Sequence, residues 1–316
     1  MKKKNGHAFL TVIAVIVALM MVPAAAFAKS EKKFKATIFT LSEKEIRATM
    51  QSLNEQLKAM RQNVRIEVVD YLTAWDEVGQ TVYFDERTKQ LGEHFVPGDP
   101  RRGGYSDIYW LSDQVDGAAA GVALADTQAA VDRAMATWDG VNCSTIPLIK
   151  LDDFGIDWGV VQYLEGFGGV PFWYADITHA GWLPGDFFDA VFGTGASDVV
   201  LGATATYVWV DSEDNPTDID NNGKIDVAFR ETYYNNKFSW GINTDFPIDV
   251  ETAVLHETGH GLSQGHFGKL FRTDANGMFH FAPRAVMNSG YTGVQQDLTG
   301  TDNGGHCSIW GSWPNN

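Results

Sequence analysis

Between residues 256 and 266 the chain reads HETGHGLSQGH, which places three of its eight histidines and one glutamate within a single short stretch. If the stretch is helical to about Gly261, His256 and His260 lie four residues apart on one face, close enough to grip one ion. Neutral imidazoles suit Zn²⁺, and three of them leave a fourth position open for water, whose pKa is then drawn towards neutrality. Glu257 sits beside the ligands without being one, placed to take a proton from that water and pass it to a leaving amine. The bare H-E-x-x-H spacing also fits histidines that merely pack at a helix end. The third ligand decides between these. His266 follows His260 by six residues, across a glycine-rich break where the chain can turn back. A downstream Glu ligand is excluded, because no Glu follows Glu257, whereas Asp302 in Gly300-Thr301-Asp302 stays open as a rival.

These residues need elements to hold them. Asp249 is placed near the start of the histidine helix, and Val250, Ala253 and Val254 supply an apolar face. Ser42 and Glu45 form an S-x-x-E capping box before Ile46, Met50, Leu53, Leu57 and Met60, which recur at helical spacing up to a break near Asn63. Residues 124–141 read as a second amphipathic helix, with Asp126 as a candidate N-cap and Val131, Ala134, Met135 and Trp138 along one stripe. Strands are expected around residues 34–40, 64–72, 105–111, 144–153, 172–180, 198–211 and 224–234. The order of strands and helices is α+β, with no regular βαβ alternation.

Composition bounds the rest. The 316 residues are 44% hydrophobic and 20% charged, enough to build a sizeable core. A net charge of -16 argues against a nucleic-acid partner, which needs a Lys/Arg excess. Lys2 to Lys4, the apolar run 8–22 and Ala26-Phe27-Ala28 read as a cleaved signal peptide over residues 1–28, and Pro23 disfavours an uncleaved anchor. The expected location is therefore secreted, outside the cell or in a periplasm, with no stable membrane association afterwards. In such a compartment Cys143 and Cys307 suit one disulfide, although Cys307 beside His306 also leaves a metal-binding reading open.

With these residues in place, the sequence resembles the metzincin zinc endopeptidases, whose extended pattern is H-E-x-x-H-x-x-G-x-x-H, and within them the matrixins. Residues 280–291, HFAPRAVMNSGY, resemble the methionine-bearing turn of that family. The resemblance implies that Met287 is a structural floor beneath the metal and that Tyr291 walls the pocket for the substrate residue after the scissile bond. YSDIYWL, AAVDRAMATWDGV and ADITHAGWLPG extend the similarity, so that it covers residues 103–316. The implied fold is α+β: a twisted mixed sheet, mostly parallel, with a long helix, a zinc-binding helix and a Met-turn, and a cleft at the sheet edge where substrate adds as a strand. Two departures bear on the site. Ser263 stands where the family has Gly, at a position that usually needs a left-handed backbone, and Gly265 offers a turn shifted by two residues. Asn288 and Ser289 replace Tyr-Pro at the turn.

Residues 29–102 occupy the place of a prosegment. They lack cysteine, so a thiol latch is absent, while FVPGD is similar to the F-x-G-D aspartate latch of astacin-type zymogens. On that reading Asp99 caps the zinc until cleavage after Arg102; a Pro-Gly turn linker is the alternative. His179 aligns with a matrixin ligand for a second, structural zinc, or is a packed histidine. Separately, Asp218, Asp220, Asn222 and Asp226 fall at odd positions of a loop with Gly223 at its turn, a candidate calcium site, although Phe229 stands where an EF-hand needs Glu. An acidic hairpin turning at Asn221-Asn222-Gly223 explains the same residues. The expected function is a secreted zinc-dependent endopeptidase acting on protein or peptide substrates. The contrasting expectation is an exported zinc- and calcium-stabilised binding or surface protein without turnover.

Overall fold

Ser42 caps the first helix by accepting a hydrogen bond at Oγ from the Glu45 N–H, and α1 (Glu43–Ala59) then buries Ile46, Met50, Leu53 and Leu57 as their spacing requires. The architecture is that of a computed structural model describing residues 41–74, 78–274 and 279–315. The expected signal peptide and the strand expected at 34–40 lie outside the described residues.

After α1 come β1 (Val64–Thr73), β2 (Thr81–Tyr83), β3 (Glu93–His94), β4 (Ile108–Ser112), α2 (Leu124–Asp139), β5 (Leu148–Lys150), α3 (Val160–Glu165), β6 (Ile177–Leu183) and α4 (Gly185–Phe192). The chain continues through β7 (Val200–Trp209), β8 (Ile225–Asn235), β9 (Trp240–Gly241), β10 (Ile248–Asp249), α5 (Val250–Gly261), β11 (Lys269–Arg272), β12 (Phe279–Ala282) and α6 (Gly300–Trp310). The main sheet runs β2-β1-β7-β8-β6-β4-β5, with β3 beside the start of β8. Pairs β4/β5, β4/β6, β6/β8 and β3/β8 are parallel, while β7/β8, β1/β7 and β1/β2 are antiparallel. The fold is thus α+β on a twisted mixed sheet.

The two faces of the sheet carry two cores. Leu72, Leu201, Val227 and Ile177 face α2 and α5 on one side. Tyr71, Ala203, Ala205, Tyr207, Phe229 and Tyr233 face α1, α3 and α4 on the other. Burial on both faces explains why β7 and β8 lack a polar alternation. Two indoles clasp α5: Trp138 Nε1 donates to the Leu255 carbonyl and Trp310 Nε1 to that of Leu262, each at 2.8 Å. The Cys143–Cys307 disulfide links the segment after α2 to α6, with Cα atoms 5.6 Å apart.

Three expectations are corrected. Ala123, not Asp126, is the N-cap of α2; Asp126 lies in its first turn, where a carboxylate still complements the helix dipole. No structural division falls at residue 102, because everything described from residue 41 onward belongs to one compact unit and β1 pairs with β7 along its whole length. The aspartate latch also fails: buried Asp99 accepts from its own turn at the Arg101 N–H and pairs with the Arg101 guanidinium at 2.7 Å. Arg101 also pairs with Asp226 and Arg102 with Asp176, so these arginines fasten the fold at the expected cleavage point.

Candidate functional site

Asp249 caps α5 through Oδ2, which accepts from the Thr252 N–H at 2.9 Å, so helical geometry is set from the residue before Val250. His256 and His260 then project together, and the chain beyond Gly261 returns His266 to them. His260 Nε2 lies 3.1 Å from His256 Nε2 and 3.2 Å from His266 Nε2. The return requires a left-handed residue, and Ser263 adopts φ 61°. The departure from Gly is therefore accommodated without shifting the turn to Gly265, because Ser263 Oγ accepts from Arg230 Nη2 at 2.8 Å while Arg230 Nη1 binds the Gly261 carbonyl at 3.0 Å.

The imidazole tautomers follow from their partners. His256 Nδ1 is 2.7 Å from the Val286 carbonyl, and His260 Nδ1 is 2.7 Å from the Gln264 carbonyl. A carbonyl only accepts, so both Nδ1 atoms carry hydrogen and both Nε2 atoms of the neutral rings present lone pairs. Burial keeps these rings neutral: it draws His256 down to about 4 and holds His260 and His266 well below the usual histidine value. Buried lone pairs facing one another at 3.1 Å repel unless a cation lies between them, which is the donor set and protonation state a zinc ion takes. The residues present fit the metal expected.

Glu257 is fully buried against β7. Its Oε2 accepts from Thr204 Oγ1 at 2.7 Å, and Oε1 has no hydrogen-bond partner. Burial holds its pKa well above the carboxylate range, opposed by the Thr204 hydroxyl. Gly202 makes room for it, since a Cβ there would stand 3.0 Å from Oε1. Met287 is buried beneath α5, and a Cβ on Gly259 would meet its Sδ at 2.2 Å, so helix and turn approach only because residue 259 is glycine. Tyr291 is buried and lines one pocket with His256, and its hydroxyl accepts from the Asp249 N–H at 3.0 Å.

Asp302 is not a ligand. It completes a capping box with Thr299 at the start of α6, and its two oxygens accept from the Val286 and Met287 N–H groups at 3.0 and 3.1 Å. It clamps the methionine turn, and the Thr299-x-x-Asp302 capping spacing was the readable signal of that job. His179 is fully buried, with Nδ1 2.9 Å from the Tyr234 hydroxyl and Nε2 against Met135 Sδ at 3.4 Å, so it packs, and among the described residues no second ligand set gathers around it. Carboxylates of Asp218 and Asp220 in the β7–β8 connection and of Asp226 at the start of β8 do converge within 4.8 Å. Asn222 instead turns its Oδ1 to the Lys224 N–H, and Asp226 Oδ2 is held by Arg101 at 2.8 Å. Arg230 and Asp70 went unnoticed in sequence. Arg230 is fully buried behind the histidine return, and Asp70 on β1 places Oδ1 3.6 Å from His260 Nδ1.

No known protein family matches the chain, and no curated protein matches it in sequence. Among the described residues, no helix is long and apolar enough to cross a membrane.

Proposed function

We propose that the protein is a zinc-dependent endopeptidase of matrixin-like metzincin type, secreted, acting on protein or peptide substrates. The observation that carries this reading is the convergence of the Nε2 atoms of three neutral imidazoles, His256 and His260 buried and His266 half-buried, while Nδ1 of His256 and of His260 is held by a carbonyl so that their Nε2 lone pairs face inward. His256, His260 and His266 are the zinc ligands, Met287 is the floor beneath them and Tyr291 walls the adjoining pocket. When bound, zinc lowers the pKa of a water and polarises the peptide carbonyl. Glu257 accepts the proton of the attacking water and returns it to the leaving amine. A dication nearby favours the charged carboxylate that this needs, against the burial that raises it. Thr204 orients the carboxylate, leaving Oε1 free to take the proton.

The test compares wild type with Glu257→Ala at equal zinc content, following casein cleavage by the full chain and after limited proteolysis. Cleavage by wild type alone supports the enzyme. No cleavage by either form of fully zinc-loaded wild type favours the zinc-stabilised binding protein, a reading to which the complete burial of Glu257 lends its one specific support.

A further inference from the structure

A peptide cleft at this site needs a strand partner, a pocket beside the histidines and an approach to Glu257, and residues 70–73 of the chain itself occupy all three. β1 runs antiparallel to β7 from Val64↔Trp209 to Thr73↔Val200, with register shifts between Ile66 and Val68 and between Leu72 and Thr73, so the β7 edge is already paired. On its other side the end of β1 meets the segment after Met287: the Tyr291 N–H donates to the Thr73 carbonyl at 2.8 Å, Thr73 Oγ1 donates to the Ser289 carbonyl at 3.1 Å, and Thr73 bridges Gly290 in parallel. Between these two walls Leu72 sits opposite Gly202, the residue against which Glu257 packs. The Leu72 side chain is 2% exposed and shares its pocket with His256, Val286 and Tyr291, where a cavity of only about 20 Å³ is left.

The chain then folds back to cover this strand. The Tyr71 N–H donates to the Gln80 carbonyl at 3.1 Å and the Gly79 N–H to the Ser289 carbonyl at 2.7 Å, while Thr81 Oγ1 donates to Asp70 Oδ1 at 2.5 Å. A Cβ on Gly79 would lie 1.9 Å from the Tyr71 carbonyl oxygen, so the closure tolerates no side chain there.

We propose that residues 70–73 are an internal substrate mimic, with the Tyr71–Leu72 peptide at the scissile position and Leu72 in the pocket, and that the chain is latent until the β1–β2 hairpin leaves. The inference rests on the reading of the histidine site as a peptide cleft. It moves the inhibitory role from Asp99 to β1. A tethered strand competes at an effective concentration of about millimolar or more, so a free peptide of ordinary affinity does not displace it.

The test uses zinc-loaded full-length wild type, Leu72→Asp and Gly79→Ala. The first variant puts a carboxylate into the pocket and the second breaks the closure; a melting transition shows which are folded, and either suffices alone. The probe is a fluorescein-labelled peptide of residues 67–74, EVVDYLTA, followed by anisotropy, with hydrolysis of the same peptide followed by mass. Binding at least about tenfold tighter to a folded variant than to wild type is expected. Equal affinity in a folded variant, or wild type that binds as tightly, overturns the proposal. Tighter binding without hydrolysis upholds the occupied cleft and counts against the peptidase reading alone.

Discussion

The histidine cluster and the aspartate loop both bring would-be metal ligands within 4.8 Å of one another, yet they differ in what the ligand atoms are already doing. In the first, the hydrogen bonds are made on the far side of two of the rings, to the carbonyls of Val286 and Gln264, and the near nitrogens are left facing inward. In the second, the carboxylates are engaged in the loop's own closure. Asp218 accepts from the Asn222 and Gly223 N–H groups, Asp220 accepts from Asn222, and Asp226 pairs with Arg101 and Thr217. A cation gains most where orienting contacts are separate from ligating ones, because binding then breaks nothing. The comparison predicts a tight site at the histidines and a weak one at the loop.

The sharpest break is at the ligands themselves. Zinc binding worth about 10–16 kcal/mol over four ligands is roughly 3 kcal/mol for each, so His260→Ala should weaken zinc by about a hundredfold or more. Titration against a competing chelator measures this. Asp218→Asn should leave zinc affinity unchanged, and a comparable loss in that variant would contradict the separation of the two sites.

Next comes the support beneath the histidines. Gly259→Ala drives a methyl into Met287 Sδ, whose turn is clamped by Asp302, so neither side yields freely. Overpacking of this kind costs about 1–3 kcal/mol, to be read from urea unfolding of the metal-free protein. An unchanged midpoint would mean that the turn moves aside.

How much of this was legible in the sequence follows the range of the interactions. His256, Glu257 and His260 are fixed by helical period alone, and the Gly-rich break announced a turn that brings His266 back. Ser263 could be named as the residue under backbone demand, but not its remedy, because Arg230 lies on a strand more than thirty residues earlier. Asp302 was seen as a carboxylate after the histidines, and only the structure separates a ligand from a clamp. β1 was recognisable as a strand from the alternation of its residues, which suggested one buried face, whereas all ten of its positions are buried. Its partner, β7, is too distant in sequence for any local pattern to reveal, so a strand built into the sheet was read as part of a detachable region.

The Ser263 remedy is open to a finer test. Ser263→Ala keeps the left-handed backbone and removes an acceptor from a buried guanidinium, a loss of about 1.5–2 kcal/mol at the lower end for charged hydrogen bonds, since Arg230 retains Gly261 and Thr206. Ser263→Gly makes the same removal but relieves the backbone by about 1 kcal/mol, leaving a net loss of about 0.5–1 kcal/mol. Chemical denaturation of the two variants should rank alanine below glycine. The reverse order would mean that the backbone at 263 is not strained.

The smallest effect belongs to the aspartate loop, and it tests why that site is weak. With calcium at about 2 mM and a dissociation constant near 1 mM, as in weak extracellular sites, binding adds about 0.6 kcal/mol, or about 2 °C in melting temperature. Arg101 is the competitor, since its guanidinium pairs with Asp226 and Asp99 together. Arg101→Gln removes that charge from Asp226, so the variant should melt lower without calcium and yet gain more from adding it. If calcium shifts neither protein, the loop is a hairpin closed by its own carboxylates. If it shifts both equally, Arg101 is not what limits the site, and the crowding of Asp218 and Asp220 by the loop's N–H groups becomes the better physical account.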